Sequence, residues 1–252
     1  MCQECGAEHA KWQGQCHACG EWNSLSRVTI SPVAGSATSH QALGFAGVEA
    51  QIQKLSEVEA LDTARIGSGF NELDRVLGGG FVPGSVVLIG GDPGAGKSTL
   101  LLQACTKLAT DHGVLYVTGE ESLQQLALRA QRLKLPMDGL SVAAETRAEV
   151  IASHIAAQKP QVVVLDSVQV LQMEGLDSTP GSVTQVRETA AFFTRLAKQQ
   201  DVVIILVGHI TKEGGLAGPK VLEHMIDCFM MLDSPAGLSL IHISEPTRQA
   251  TI

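Results

Sequence analysis

The chain has 252 residues, 44% of them hydrophobic, only 4% aromatic and 26 of them glycine. That composition suits one moderate domain with a small appendage and a core of Val, Leu, Ile and Ala, which favours α/β architecture. A net charge of −8 excludes a broadly basic nucleic-acid-binding surface but leaves room for a local one. The longest apolar runs are too short to cross a bilayer, and "MCQECGAEHA" has no signal-peptide pattern, so a cytoplasmic chain with reduced cysteines and no membrane partner is expected.

Residues 1–25 contain four of the six cysteines and both tryptophans. Cys2, Cys5, Cys16 and Cys19 form C-x2-C-x10-C-x2-C, with glycine after each pair. Two thiolates two residues apart can grip one metal from a tight turn, and glycine lets backbone N–H groups approach the sulfurs. Four thiolates close a tetrahedral structural Zn²⁺ site with no open position for catalysis. So small a segment has little core, and metal would supply most of its folding energy. Disulfide pairing is the alternative, disfavoured by a reducing setting. His9 and His17 are alternate ligands, and Trp12 and Trp22 are expected to pack on the site. Residues 26–60, rich in Ser, Ala and Gly, read as a linker.

From 61 to 235 strand, turn and helix recur. "SVVLIG" (85–90) is a buried strand, and a helix over 97–110 follows the next loop. "VLYVTG" (114–119) is a second strand. Ser122 with Gln125 forms a capping box opening a helix that ends before Pro136. "LSVAA" (140–144) is a weaker strand with a helix near 146–158 after it. "QVVVLD" (161–166) has the unbroken apolar run of a strand covered on both faces. A second capping box, Ser182 with Gln185, opens a helix reaching about 199. "VVIILVGH" (202–209) and "CFMMLD" (228–233) complete the strands. This alternation predicts a mostly parallel sheet with helices on both faces.

Gly91, Asp92, Pro93, Gly94, Ala95, Gly96, Lys97 and Ser98 fit G-x-x-x-x-G-K-[ST], between a strand and a helix, with Thr99 next. A loop whose N–H groups all converge on an anion needs residues free to take unusual φ and no side chains in the way. The helix N-terminus adds partial positive charge. Lys97 would reach the β- and γ-phosphates of ATP, and Ser98 would hold Mg²⁺. Asp166, at the end of an apolar strand, is the candidate second Mg²⁺ carboxylate. Glu120 and Glu121 end another strand; either could polarise the attacking water, and Glu121 equally suits the N-terminus of the next helix. His209 ends a fourth strand, as a γ-phosphate sensor or a core-edge histidine. Cys105 and Cys228 read as small core residues. "HITKEGGLAGPKVLEH" (209–224) is either a solvated surface loop or a binding loop in which Lys212 and Lys220 neutralise DNA phosphates.

Taken in order, "WQGQC", "GFNELDRVLGGGFVPGSVVLIGGDPGAGKSTLLLQ", "LYVTGEESLQQ", "PGSVTQVRETA" and "GHITKEGGLAGPKVLEH" closely resemble the bacterial RadA (Sms) family of DNA repair proteins. The resemblance covers residues 1 to about 233. It implies a RecA-like P-loop NTPase core beside an N-terminal zinc ribbon. It further implies a DNA-dependent ATPase of homologous recombination that translocates on single-stranded DNA and promotes branch migration. Implied partners are branched recombination intermediates, a recombinase filament and further copies of the chain in a homohexamer. By this resemblance Lys97 and Ser98 would take the Walker-A places, Asp166 the Walker-B place and Glu120 or Glu121 the catalytic glutamate's, and the 209–220 loop would line the DNA channel. The alternative is a RecA-like nucleotide switch or scaffold whose zinc module recruits a protein partner; a third reading is an inactive truncation. The family's KNRFG motif and Lon-protease-like C-terminal domain have no counterpart in this sequence. The tail "LIHISEPTRQATI" looks like adapter read-through, so residues from about 236 are expected to be non-native and poorly ordered.

Overall fold

The computed structural model describes residues 2, 7, 14–22, 54, 64–209, 222, 224–233 and 240–244. The 26–60 segment, Cys5, His9, Trp12, Lys212 and Lys220 lie outside these, apart from Lys54, which is exposed.

A seven-stranded sheet organises the chain. In chain order its strands are β1 (Val86–Gly90), β2 (Val114–Thr118), β3 (Ser141–Ala144), β4 (Val162–Asp166), β5 (Val203–Val207), β6 (Cys228–Asp233) and β7 (Leu240–Ser244). Across the sheet they lie in the order β3-β2-β4-β5-β1-β6-β7. All pairings are parallel except β6 with β7. The helices are α1 (Asn71–Val76), α2 (Lys97–Leu108), α3 (Leu123–Arg132), α4 (Ala148–Gln158) and α5 (Val183–Gln200). Every residue of β1, β2, β4 and β5 is buried, as strands covered on both faces must be.

Side chains alternate across a strand, so each apolar run feeds two cores. Val86, Leu88, Val163, Leu165, Ile204 and Leu206 meet α4 and α5 through Ile151, Ile155, Ala190 and Phe193. Val87, Ile89, Val162, Val164, Val203 and Ile205 meet α1, α2 and α3 through Leu73, Leu101, Cys105 and Leu126. The apolar strands are thus explained by position, and at β1, β2, β4 and β5 both faces of the sheet are covered.

Local signals settle the helix starts. At Ser122 both halves of the capping box form: its side chain accepts from Gln125 N, and the Gln125 side chain accepts from the Ser122 N–H. At Ser182 only the first half forms. The Gln185 side chain is buried and turned away, accepting from Met173 N and donating to Ser178 O. The preceding loop thereby takes the group that the box required. Helix α1 has no counterpart in the sequence reading; six residues hold too little periodicity to declare themselves.

No element was expected beyond 233, yet β7 forms within the tail that was expected to be poorly ordered. Its "LIHIS" has the β-branched content of a strand, and it covers what would otherwise be the open edge of β6. On the inner side of β6 the backbone comes against Gly91. A Cβ built at Gly91 (φ 151) would stand 2.4 Å from the Leu232 carbonyl oxygen, so this place admits only glycine.

Asp227 fastens the start of the sheet. One of its carboxylate oxygens accepts from Val86 N at 2.8 Å, and Lys198 on α5 donates to both oxygens at 2.8 Å. Asp227→Ala should leave the Val86 N–H without a partner and lower stability by about 1–3 kcal/mol in urea titrations; an unchanged midpoint would show the contact to be idle.

Candidate functional site

Four neighbouring parallel strands, β2, β4, β5 and β1, deliver polar residues to one end of the sheet. In an open parallel sheet the loops leaving the C-terminal strand ends form the ligand crevice. The loop of 91–96 leaves β1, Glu120 follows β2, Asp166 closes β4 and His209 follows β5.

The loop behaves as its composition predicts. Gly94 and Gly96 have φ of 83° and 90°, and Gly96 is the left-handed N-cap of α2. Lys97 opens that helix and is almost wholly buried. Its ammonium donates to the Gly91 and Asp92 carbonyls at 2.7 and 2.9 Å and stands 3.4 Å from His209 Nδ1. Burial lowers the Lys97 pKa, opposed by the negative charges of Asp166, Asp92 and Glu120. Beside the loop is a cleft of about 200 Å³, lined by Gly94, Gly96, Lys97, Ser98, Thr99, Arg129 and His209.

Asp166 is buried and is pinned by a residue that the sequence reading passed over. Tyr116, in the middle of β2, donates its hydroxyl to Asp166 Oδ2 at 2.5 Å. Burial and the Asp166 carboxylate push the Tyr116 phenol well above its ordinary range, with Arg129 acting in the opposite direction. The signal was available: a tyrosine inside a fully buried strand needs a partner for its hydroxyl.

The two glutamates separate. Glu120 accepts a short hydrogen bond from Ser167 Oγ and stands 3.3 Å from His209 Nε2. Glu121 pairs with Arg129 of α3, and its backbone is tied to Thr118 Oγ1. Glu120 therefore belongs to the group around Lys97 and His209, while Glu121 is engaged at the helix side. His209 is about one-third exposed and stands between Lys97 and Glu120. Gln169 Nε2 donates to the His209 carbonyl at 3.3 Å, another contact outside the sequence reading.

At the N-terminus the sulfurs of Cys2, Cys16 and Cys19 all lie within 4.8 Å of one another, with Cys2 and Cys16 buried. The Cys2 and Cys19 sulfurs are 3.7 Å apart, far beyond a disulfide bond. Thiolates about 2.3 Å from a tetrahedral ion stand roughly 3.8 Å apart, so the spacing fits a metal. The turn after Cys16 closes by Gly20 N donating to Cys16 O, with Gly20 at φ 77. Trp22, expected to pack on the centre, is instead 68% exposed; its ring lies toward Gly14, beside the Gln15–Trp22 bridge.

Comparison with known proteins agrees with both parts. The family described as "AAA domain" matches residues 52–215, and "Rubredoxin metal binding domain" matches residues 1–27. The chain belongs to the AAA-domain family. It is 55% identical to DNA repair protein RadA of Haemophilus influenzae and 53% identical to that of Escherichia coli, covering 94% of this chain and 52% of each relative. The Bacillus subtilis protein is 44% identical over 92% of this chain and 51% of its own length. The chain thus spans about half the length of the curated relatives it matches. A solved structure described as an ATPase domain superposes with a TM-score of 0.58 at 19% identity, covering 70% of this chain and 79% of that one. The architecture is a RecA-like P-loop core with an N-terminal zinc-ribbon module.

The two remaining cysteines lie in apolar surroundings. Burial pushes the Cys105 thiol up strongly, and burial with the nearby Asp227 charge pushes Cys228 up to about 11. Both should resist iodoacetamide near neutral pH until the chain unfolds, and peptide mapping by mass spectrometry reads this directly. Native-state labelling of either at the rate of an unfolded thiol would contradict the packing.

Proposed function

We propose that this chain is a DNA-dependent ATPase of DNA repair and homologous recombination. The observation that supports it most is the convergence of Lys97, Glu120, Asp166 and His209 from four strand ends beside one glycine-rich loop. In this reading the 91–99 loop and the α2 N-terminus bind the phosphates of ATP, with Lys97 neutralising the β- and γ-phosphates. Ser98 and Asp166 would hold Mg²⁺, which offsets charge on the transferred phosphoryl group. Tyr116 keeps the Asp166 carboxylate in one orientation.

Glu120 is the group that polarises water, because it faces Lys97 and His209 while Glu121 is paired with Arg129. His209, touching both Lys97 and Glu120, would register a γ-phosphate. The cysteine module would bind one Zn²⁺ through Cys2, Cys16, Cys19 and Cys5 as the remaining thiolate. Translocation on single-stranded DNA, branch migration, DNA contact by Lys212 and Lys220, and assembly into a homohexamer are the finer parts of the proposal. They are supported by the likeness to the RadA proteins. A domain division into a 1–25 module, a 26–60 linker and a core from 61 completes it.

ATP turnover with and without single-stranded DNA tests the reading. Lys97→Ala should abolish turnover, and Glu120→Gln should lower kcat by roughly 10²–10⁴-fold. Stimulation by DNA should fall steeply as salt rises, because phosphate contacts release counterions. Nucleotide binding with no response to DNA would favour the switch or scaffold instead. Tyr116→Phe should raise the Mg²⁺ concentration needed for half-maximal turnover by roughly tenfold, the scale on which partners of metal ligands act; an unchanged Mg²⁺ dependence would separate Tyr116 from that role.

A further inference from the structure

We infer that Arg129 is a second, helix-borne cation for the phosphate tail of the bound nucleotide, and that Glu121 is the residue that positions it. The inference rests on the cleft being a nucleotide site, as proposed above.

Arg129 lies in the last turn of α3, a helix that contributes no residue to the glycine-rich loop. Its side chain is nevertheless one of the lining groups of the cleft beside Gly94, Gly96, Lys97, Ser98 and Thr99. The neighbouring positions Leu126 and Ala130 are buried in the core, so the backbone that presents Arg129 is fixed. The side chain is only 20% exposed. A charge so far withdrawn from water needs compensation, and Glu121 supplies it.

That one carboxylate uses little of what the guanidinium offers. Five N–H donors are available, and among the described residues one hydrogen bond is made, to Glu121 Oε1. The planar fork is suited to carboxylate and phosphate oxygens together. Its neighbours in the cleft are the loop residues around which a phosphate anion would gather, so the unused donors are matched to phosphate oxygens rather than to a base. Glu121 is short-tethered: its own N–H and C=O are both tied to Thr118 Oγ1. The carboxylate is therefore a fixed post, and Arg129 is aimed by it.

Two neighbouring glutamates then have different duties, and their variants should fail differently. Equilibrium titration with fluorescent ATP and GTP analogues, beside steady-state turnover, reads this. Arg129→Ala should weaken binding of both analogues by roughly 10- to 100-fold, the worth of a charge-assisted hydrogen bond or two. Arg129→Lys, which keeps charge without the fork, should recover part of that loss. Glu121→Ala should raise KM and weaken binding with kcat within about threefold of the parent, whereas Glu120→Gln should lower kcat and leave binding in place. Wild-type affinity in Arg129→Ala, with binding abolished in Lys97→Ala, would overturn the inference and leave the nucleotide site intact. A loss confined to the adenine analogue would also overturn it, by assigning Arg129 to the base. A parent chain that takes up neither analogue would remove the nucleotide reading and this inference with it.

Discussion

A lysine ammonium held out of water is the constraint around which this site is built. Lys97 is 3% exposed, and an unpaired charge there would be untenable. The loop's own carbonyls at Gly91 and Asp92 accept two hydrogen bonds from it, and Asp166, Asp92 and Glu120 supply the opposing field. Two of those carboxylates are in turn fixed: Asp166 by Tyr116, Glu120 by Ser167 and His209. The charge at the mouth of the loop is thus the centre of a network that spans four strands. A triphosphate would enter a place where cation and anions are already in position, which lowers the reorganisation needed on binding.

The parts of this arrangement that depend on adjacent residues were legible in the sequence. The glycine-rich loop, its lysine and the Ser122 capping box each declare themselves within a few positions, because their physics is local. The strands were legible too, since parallel strands buried on both faces show as unbroken apolar runs. What could not be read was which strands adjoin. Tyr116 reaches Asp166 only because β2 lies beside β4, in a register that sets Thr118 opposite Asp166. Arg129 reaches the cleft only because α3 packs on the same face as α2. Which of Glu120 and Glu121 faces His209 turned on the path of the chain after β2, which a sequence leaves open. At Ser182 the failure was competitive: Gln185 had a better partner in the loop upstream, at Met173 N.

The cysteine module follows a different logic from the core. A RecA-like sheet gains its order from two apolar faces, whereas the described residues of the ribbon bury only two cysteine side chains with Ala7 against them. Spacing of sulfurs replaces volume of hydrocarbon as the organising quantity. That is why the ligand pattern alone forecast the centre, and why the tryptophan, whose expected place presupposed a small core, lies outside it.

At the first residue of the glycine-rich loop, bare backbone rests on bare backbone. Gly91 and the Leu232 carbonyl touch with no side chain between them to yield. The flank of the loop is therefore stiff, like two bricks laid without mortar. A shift of β6 by even a fraction of an ångström is delivered undamped to the loop, so this inner strand and the glycine-rich loop are mechanically one piece.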